Sequence, residues 1–132
     1  MSIDQNIKQS GNDTTMNILI IDDSEVIRNR LYYILSEVDN INVIEQASNT
    51  TEGYELYCTL KPDIIILDIR MPDESGIKLL KKIKQEDANT TIAILTNYPY
   101  SAYQKRCMEL GADYFLDKST EFSKIKDIIS LH

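Results

Sequence analysis

The sequence predicts an α/β protein: a parallel β-sheet of five strands with helices on both faces. Strand-like and helix-like patterns alternate five times along one chain of 132 residues, as repeated βα units do. Two runs, Ile18-Leu19-Ile20-Ile21 and Ile64-Ile65-Ile66-Leu67, are apolar without interruption. A strand with one wet face would alternate polar and apolar residues, so a short continuous run marks a strand covered on both faces. Both runs end in carboxylates, Asp22-Asp23 and Asp68. In an open parallel sheet, the carboxyl ends of the strands are where ligands bind.

The elements follow in order. Residues 1–15 are polar and read as a flexible tail, leaving residues 16–132 as the folded domain. Asn17–Ile21 reads as the first strand. Ser24–Val38 reads as a helix, with Ile27, Leu31, Ile34 and Val38 spaced by three and four. Asn42–Gln46 is a short second strand. Asn49-Thr50-Thr51-Glu52 resembles a capping box and opens a helix carrying Leu56, Tyr57 and Leu60, which Pro62 ends. Asp63–Leu67 is the central strand, and Met71-Pro72-Asp73-Glu74-Ser75-Gly76 is a loop leading to a helix with Ile77, Leu80 and Ile83. Thr91–Leu95 is a β-branched strand. Ser101-Ala102-Tyr103-Gln104 reads as a second capping box, opening a fourth helix with Tyr103, Cys107 and Leu110 on one stripe. Gly111 suits the left-handed position after it. Tyr114–Leu116 is the last strand. Thr120–Leu131 is the last helix, with Phe122, Ile125 and Ile129 inward.

Composition narrows the function classes. The chain is 42% hydrophobic, enough for one packed core, and carries a net charge of −7. That charge argues against nucleic acid or an anionic membrane as a direct partner. No apolar run approaches a membrane span, and the N-terminal stretch lacks the apolar centre of a signal peptide. Cys58 and Cys107 form no CxxC pair and read as free thiols in a reducing compartment, which places the chain in the cytoplasm.

Several strands end in a chemically useful residue: Asp22 and Asp23, Asp68, Thr96, Lys118. If the strands are parallel, these residues share one edge. Three carboxylates there would repel one another without a cation between them. Two or three carboxylates with an open position suit Mg²⁺, a hard cation that prefers oxygen ligands and keeps several waters. Lys118 adds a charge fit to pair with a phosphoryl oxygen, and Thr96 adds a hydroxyl donor. Such a set suits phosphoryl transfer, where positioning and charge neutralisation supply most of the catalysis. Seen alone, each residue has a plainer reading. Asp22-Asp23 would cap a helix, Asp68 would end a strand in a turn, Lys118 would be solvated and Thr96 would be a β-former. It is their joint order that carries the signal.

The same residues carry a family resemblance. Asp22-Asp23, Asp68, Met71-Pro72 and Gly76 after it, Thr96, and Phe115 with Lys118 in Gly111-Ala112-Asp113-Tyr114-Phe115-Leu116-Asp117-Lys118 stand in matching order on matching elements. The chain resembles a response-regulator receiver domain of two-component signalling over about residues 16–131. The resemblance implies a doubly wound, flavodoxin-like sheet in the order 2-1-3-4-5. It implies that Asp68 accepts a phosphoryl group from the phosphohistidine of a histidine kinase or histidine phosphotransfer protein. Asp23, Asp68 and the Arg70 backbone carbonyl would hold Mg²⁺ directly, with Asp22 acting through metal-bound water. Lys118 would bind the phosphoryl group, Thr96 would move towards it, and Phe115 would turn inward. The added charge would bias a two-state switch. The switched surface would be the fourth helix, last strand and last helix, near Tyr100, Tyr103 and Phe115, where a downstream protein binds.

The chain also departs from the family pattern. Asn97 stands where many relatives carry Ala. Ser119 stands where relatives often carry Pro with a cis peptide. A cis bond before Ser costs roughly 2.5–4 kcal/mol, so a trans peptide is expected. Arg70 and Tyr98 stand two residues after Asp68 and Thr96, and the resemblance implies that these positions overlook the site, where a bulky pair would slow attack of water. With no output domain, the expected activity is self-phosphorylation and signalling by contact, not turnover of an outside substrate. One alternative is a metal-dependent aspartyl-nucleophile phosphohydrolase of the haloacid dehalogenase type. It needs an acid two residues after the nucleophile, and Arg70 occupies that position. The other is a degenerate receiver kept as a scaffold, which the intact Asp23, Asp68, Thr96 and Lys118 argue against.

Overall fold

The computed structural model describes residues 15–132. Its elements alternate throughout: β1 (Met16–Ile21), α1 (Glu25–Leu35), β2 (Ile41–Ala47), α2 (Thr50–Leu60), β3 (Ile64–Leu67), α3 (Gly76–Glu86), β4 (Thr91–Thr96), α4 (Ser101–Glu109), β5 (Tyr114–Asp117) and α5 (Lys124–Ser130). Every strand pairing is parallel, in the order β2-β1-β3-β4-β5. This is the doubly wound sheet expected from the sequence. Apart from Thr15, the tail expected over residues 1–15 lies outside the described residues.

The continuous apolar runs are explained by a core on each side of the sheet. Side chains alternate across a strand. Ile18, Ile20, Ile64 and Ile66 therefore face one layer with Leu31, Leu35, Phe122, Ile125 and Ile129 of the α1 and α5 side. Leu19, Ile21, Ile65 and Leu67 face the other layer with Tyr57, Leu80, Ile83 and Cys107 of the α2, α3 and α4 side. Each fully buried Ile or Leu stabilises the fold by roughly 1.5–3 kcal/mol. Cys107 is a buried member of that core, and burial pushes its thiol up to about 11, whereas Cys58 is exposed; both thiols are free.

Local chemistry sets most helix ends. Ser24 caps α1 by accepting from Ile27 N–H, and Asn49 caps α2 by accepting from Glu52 N–H at 2.8 Å. Gly111, at φ 103°, ends α4 in a Schellman arrangement: its N–H donates to the Met108 carbonyl, and Ala112 N–H donates to Cys107. Lys61, at φ 50°, ends α2 just before Pro62.

Each strand has an end one residue from the expected one, and three helix ends also differ. α1 stops at Leu35 because Glu37 and Val38 N–H turn back to the Ile34 and Leu35 carbonyls, tightening the chain; Val38 still packs on the core, which is why the apolar stripe outruns the helix. The Ser101-to-Gln104 capping box does not form. Tyr100 is the N-cap of α4, without a side-chain bond, and Ser101 already lies inside the helix. α5 begins at Lys124, not Thr120, because Thr120 and Glu121 N–H close a turn on the Asp117 carbonyl; Phe122 is buried from that turn.

Candidate functional site

Strand register brings the predicted residues together. Ile21 pairs with Leu67 and Leu67 with Ile94, while Thr96 pairs with Asp117. The ladder continues one step past the strands: Asp22 N–H donates to the Ala47 carbonyl, Asp68 N–H to Ile21 and Lys118 N–H to Thr96, at 3.0, 3.0 and 2.9 Å. Asp22, Asp68 and Lys118 thus leave the sheet along one carboxyl edge, their backbones held by neighbouring strands.

Lys118 lies between the acids. Its Nζ is 2.6 Å from Asp22 Oδ2 and 2.9 Å from Asp68 Oδ2. Asp22, Asp68 and Lys118 are 2%, 5% and 8% exposed, so this is a buried triad. Burial works against the Lys118 ammonium, but hydrogen bonds from it to Asp22 and Asp68, with their charges, outweigh burial and raise its pKa. Burial also pushes the Asp22 carboxyl up, against the bonds it accepts from Lys118 and from Ser24 N–H. Asp68 Oδ1 accepts the Ile69 N–H at 2.7 Å, which fixes the carboxylate while Oδ2 faces Lys118.

Asp23 is exposed beside them. Asp22, Asp23 and Asp68 each offer a carboxylate oxygen within 4.8 Å of the others. One buried ammonium set against three carboxylates leaves negative charge to neutralise, and an all-oxygen donor set suits a hard divalent cation. The residues present therefore fit Mg²⁺.

Thr96 is fully buried at the end of β4, and its Oγ1 accepts Tyr98 N–H at 3.0 Å, leaving the hydroxyl hydrogen free to be donated elsewhere. Phe115 is half-buried against the core layer of α2, α3 and α4. Arg70 follows Asp68 in the β3–α3 loop. Its guanidinium carbon lies 4.2 Å from the centre of the Tyr98 ring, and a hydrogen bond with Tyr103 raises its pKa. Tyr98 and Tyr103 each pack beside Tyr100, which is 59% exposed. The Lys118–Ser119 peptide is trans, as expected. Asp117 stabilises the turn there by accepting both the Ser119 N–H and hydroxyl.

Sequence reasoning passed over several residues that shape the site. Arg28 Nη1 donates to the Asp22 carbonyl at 2.7 Å, tying α1 to the acidic turn. Gly76 was read only as part of a loop motif. Its N–H donates to the Ile69 carbonyl, and a Cβ there would sit 1.9 Å from the Asp68 carbonyl oxygen. Only glycine allows α3 to start this close to the loop of Asp68. Asp73 reaches out of that loop to the first residues of α2. Spacing gave no signal for Arg28 or Asp73, since their partners are set by tertiary structure.

Comparison with known proteins agrees with the geometry. The family model described as response regulator receiver domain matches residues 18–130. The chain is 34% identical over 113 residues to the chemotaxis protein CheY of Halobacterium salinarum, covering 86% of this chain and 92% of that protein. It is also 34% identical to the sensory transduction protein LytR of Staphylococcus haemolyticus, over 87% of this chain but 44% of that protein. Among solved structures, the response regulator domain of Thermotoga maritima CheB is 27% identical with a TM-score of 0.76, covering 87% of this chain and 90% of that one. The chain spans nearly all of the halobacterial protein but less than half of LytR.

Proposed function

The chain belongs to the response regulator receiver domain family, and from that premise we propose that it takes a phosphoryl group onto Asp68 from the phosphohistidine of a histidine kinase or a histidine phosphotransfer protein. Asp68 Oδ attacks phosphorus, the P–N bond breaks, and the imidazole leaves with the bonding pair. Asp23, Asp68 and the Arg70 carbonyl would hold Mg²⁺, with Asp22 acting through water, and the bound ion would supply positive charge to offset that on the transferring oxygens. Lys118 pairs with the phosphoryl group from the other side, and Thr96 donates its hydroxyl to it. The single observation that most supports this reading is the Lys118 ammonium held within 3 Å of both Asp22 and Asp68.

Residues 16–132 act as the receiver. Phosphorylation, with Thr96 and Phe115 repositioned, changes the α4–β5–α5 face, which binds a downstream protein. The exposed Tyr100 and Met108 of this face suit protein contact, and the net charge of −7 disfavours direct nucleic-acid binding. Among the described residues no helix is long and apolar enough to cross a membrane, and a cytoplasmic place fits a kinase-fed receiver.

Incubation with acetyl phosphate and Mg²⁺ tests the reading. It expects one phosphoryl group per chain and little turnover. Many turnovers on a small phosphate ester would make the protein a phosphohydrolase, and no label at all would make it a scaffold.

A further inference from the structure

The loop that follows Asp68 is fastened at two points. Gly76 N–H closes its far end onto the Ile69 carbonyl at 2.6 Å. Asp73 fastens its middle to another helix: Oδ1 accepts Thr50 N–H at 3.0 Å, and Oδ2 accepts both Thr51 N–H and Thr51 Oγ1–H at 2.9 Å. These are the first two amide groups of α2, which no intrahelical carbonyl can satisfy. The helix has its own cap as well, since Asn49 Oδ1 takes the Glu52 N–H. A carboxylate at a helix N-terminus is also favoured by the helix dipole. Asp73 therefore both satisfies the first amides of α2 and holds the loop against that helix, while Asn49 caps the helix from within its own segment.

Arg70, whose carbonyl faces the metal in the reading above, lies between Asp68 and Asp73 on this loop. We propose that Asp73 is a positioning residue for the cation site: its bonds to Thr50 and Thr51 hold the β3–α3 loop so that the Arg70 carbonyl and Asp68 keep one geometry for Mg²⁺. The inference rests on the metal reading. It extends that reading to α2, which contributes none of the acids. Partners that orient metal ligands commonly change affinity by 10–100-fold when removed.

Mg²⁺ alone is titrated calorimetrically into the wild type, Asp73→Ala, Asp73→Asn and Asn49→Ala, with folding of each checked by circular dichroism. Asp73→Ala is expected to bind Mg²⁺ about tenfold more weakly, near the lower end for such partners. Asp73→Asn keeps one acceptor and recovers part of the loss. Asn49→Ala, which weakens the same helix end without touching the loop, stays within about twofold of the wild type. Wild-type affinity in Asp73→Ala overturns the inference alone. Equal losses in Asp73→Ala and Asp73→Asn assign the effect to lost charge and overturn it too. Equal losses in Asn49→Ala and Asp73→Ala assign it to α2 stability, again overturning it. No binding by the wild type overturns the metal reading and this inference together.

Discussion

Lys118 Nζ lies 2.9 Å from Asp68 Oδ2, joining residues 50 apart across the carboxyl edge of the sheet. Neither group reaches the other through flexible loop: Asp68 leaves β3 on a ladder bond to Ile21, and Lys118 leaves β5 on a ladder bond to Thr96. The sheet sets the distance, and in the proposed phosphoryl transfer the ammonium would supply the counter-charge for a transferred oxygen.

Lys118→Ala leaves Asp22 and Asp68 buried side by side with no cation. Removing one partner of a buried ion pair costs about 3–5 kcal/mol. Urea denaturation without metal should show a loss near the lower figure, because exposed Asp23 and solvent border the site. Mg²⁺ should stabilise this variant more than the wild type, since the ion then takes over the charge that Lys118 supplied to the two carboxylates. Equal Mg²⁺ stabilisation of both proteins would contradict this account of the site's charge.

Two glycines predict unequal costs for one substitution. At Gly76 an added Cβ meets the Asp68 backbone oxygen at 1.9 Å, and backbone cannot turn aside. Gly76→Ala should cost at least ~3 kcal/mol in urea denaturation. At Gly53 the Cβ meets the side chain of fully buried Ile21, Cδ1 at 2.7 Å and both Cγ atoms at 3.1 Å, which can give only by repacking. Overpacking of about 1–3 kcal/mol is offset in part by about 1 kcal/mol of helix propensity, so Gly53→Ala should cost less than Gly76→Ala.

Stability should carry an acid-dependent contribution from Asp73. Some desolvation pushes its carboxyl up, but the bonds from Thr50 and Thr51 outweigh this and hold it well below the usual carboxylate range. A carboxyl lowered on folding contributes stability that is full above its unfolded value, about pH 4, and fades as the pH falls from there through its folded value. The gap between wild type and Asp73→Asn should therefore be constant from about pH 7 to pH 5 and shrink below about pH 4. Denaturation series across that range read it directly; a gap that widens with acid would refute the assignment.

The Arg70 guanidinium stacks on the Tyr98 ring at 4.2 Å, and Arg70 lies two residues after Asp68; on the proposed function this bulky pair should slow attack of water on the phosphorylated protein. Arg70→Ala and Tyr98→Ala are each expected to lose phosphate severalfold faster than the wild type after the donor is removed. Unchanged lifetimes in both would remove the pair from this role.

Much of this arrangement was legible in the sequence because it depends on strand pattern. The apolar runs before Asp22 and Asp68 required strands covered on both faces, and parallel order then placed Thr96 and Lys118 at the same edge. What escaped was set by contacts between distant segments. Asp73 looks like any loop acid until α2 is folded beside it, and Arg28 looks like a surface helix residue until its guanidinium meets the Asp22 carbonyl. Ser101 has the side chain of a cap but lies one residue too late to be one. Val38 and Phe122 extend apolar stripes past the helices they flank, because a turn can bury a side chain as well as a helix can.

The central claim is that Asp68 carries the phosphoryl group. Labelling the wild type with acetyl phosphate and Mg²⁺, reducing with borohydride and mapping peptides by mass tests it most directly, because an aspartyl phosphate is reduced to homoserine at the residue that held it. The account predicts homoserine at position 68 alone, and none anywhere in Asp68→Asn. Homoserine at Asp22 or Asp23, or undiminished labelling of Asp68→Asn, would contradict it.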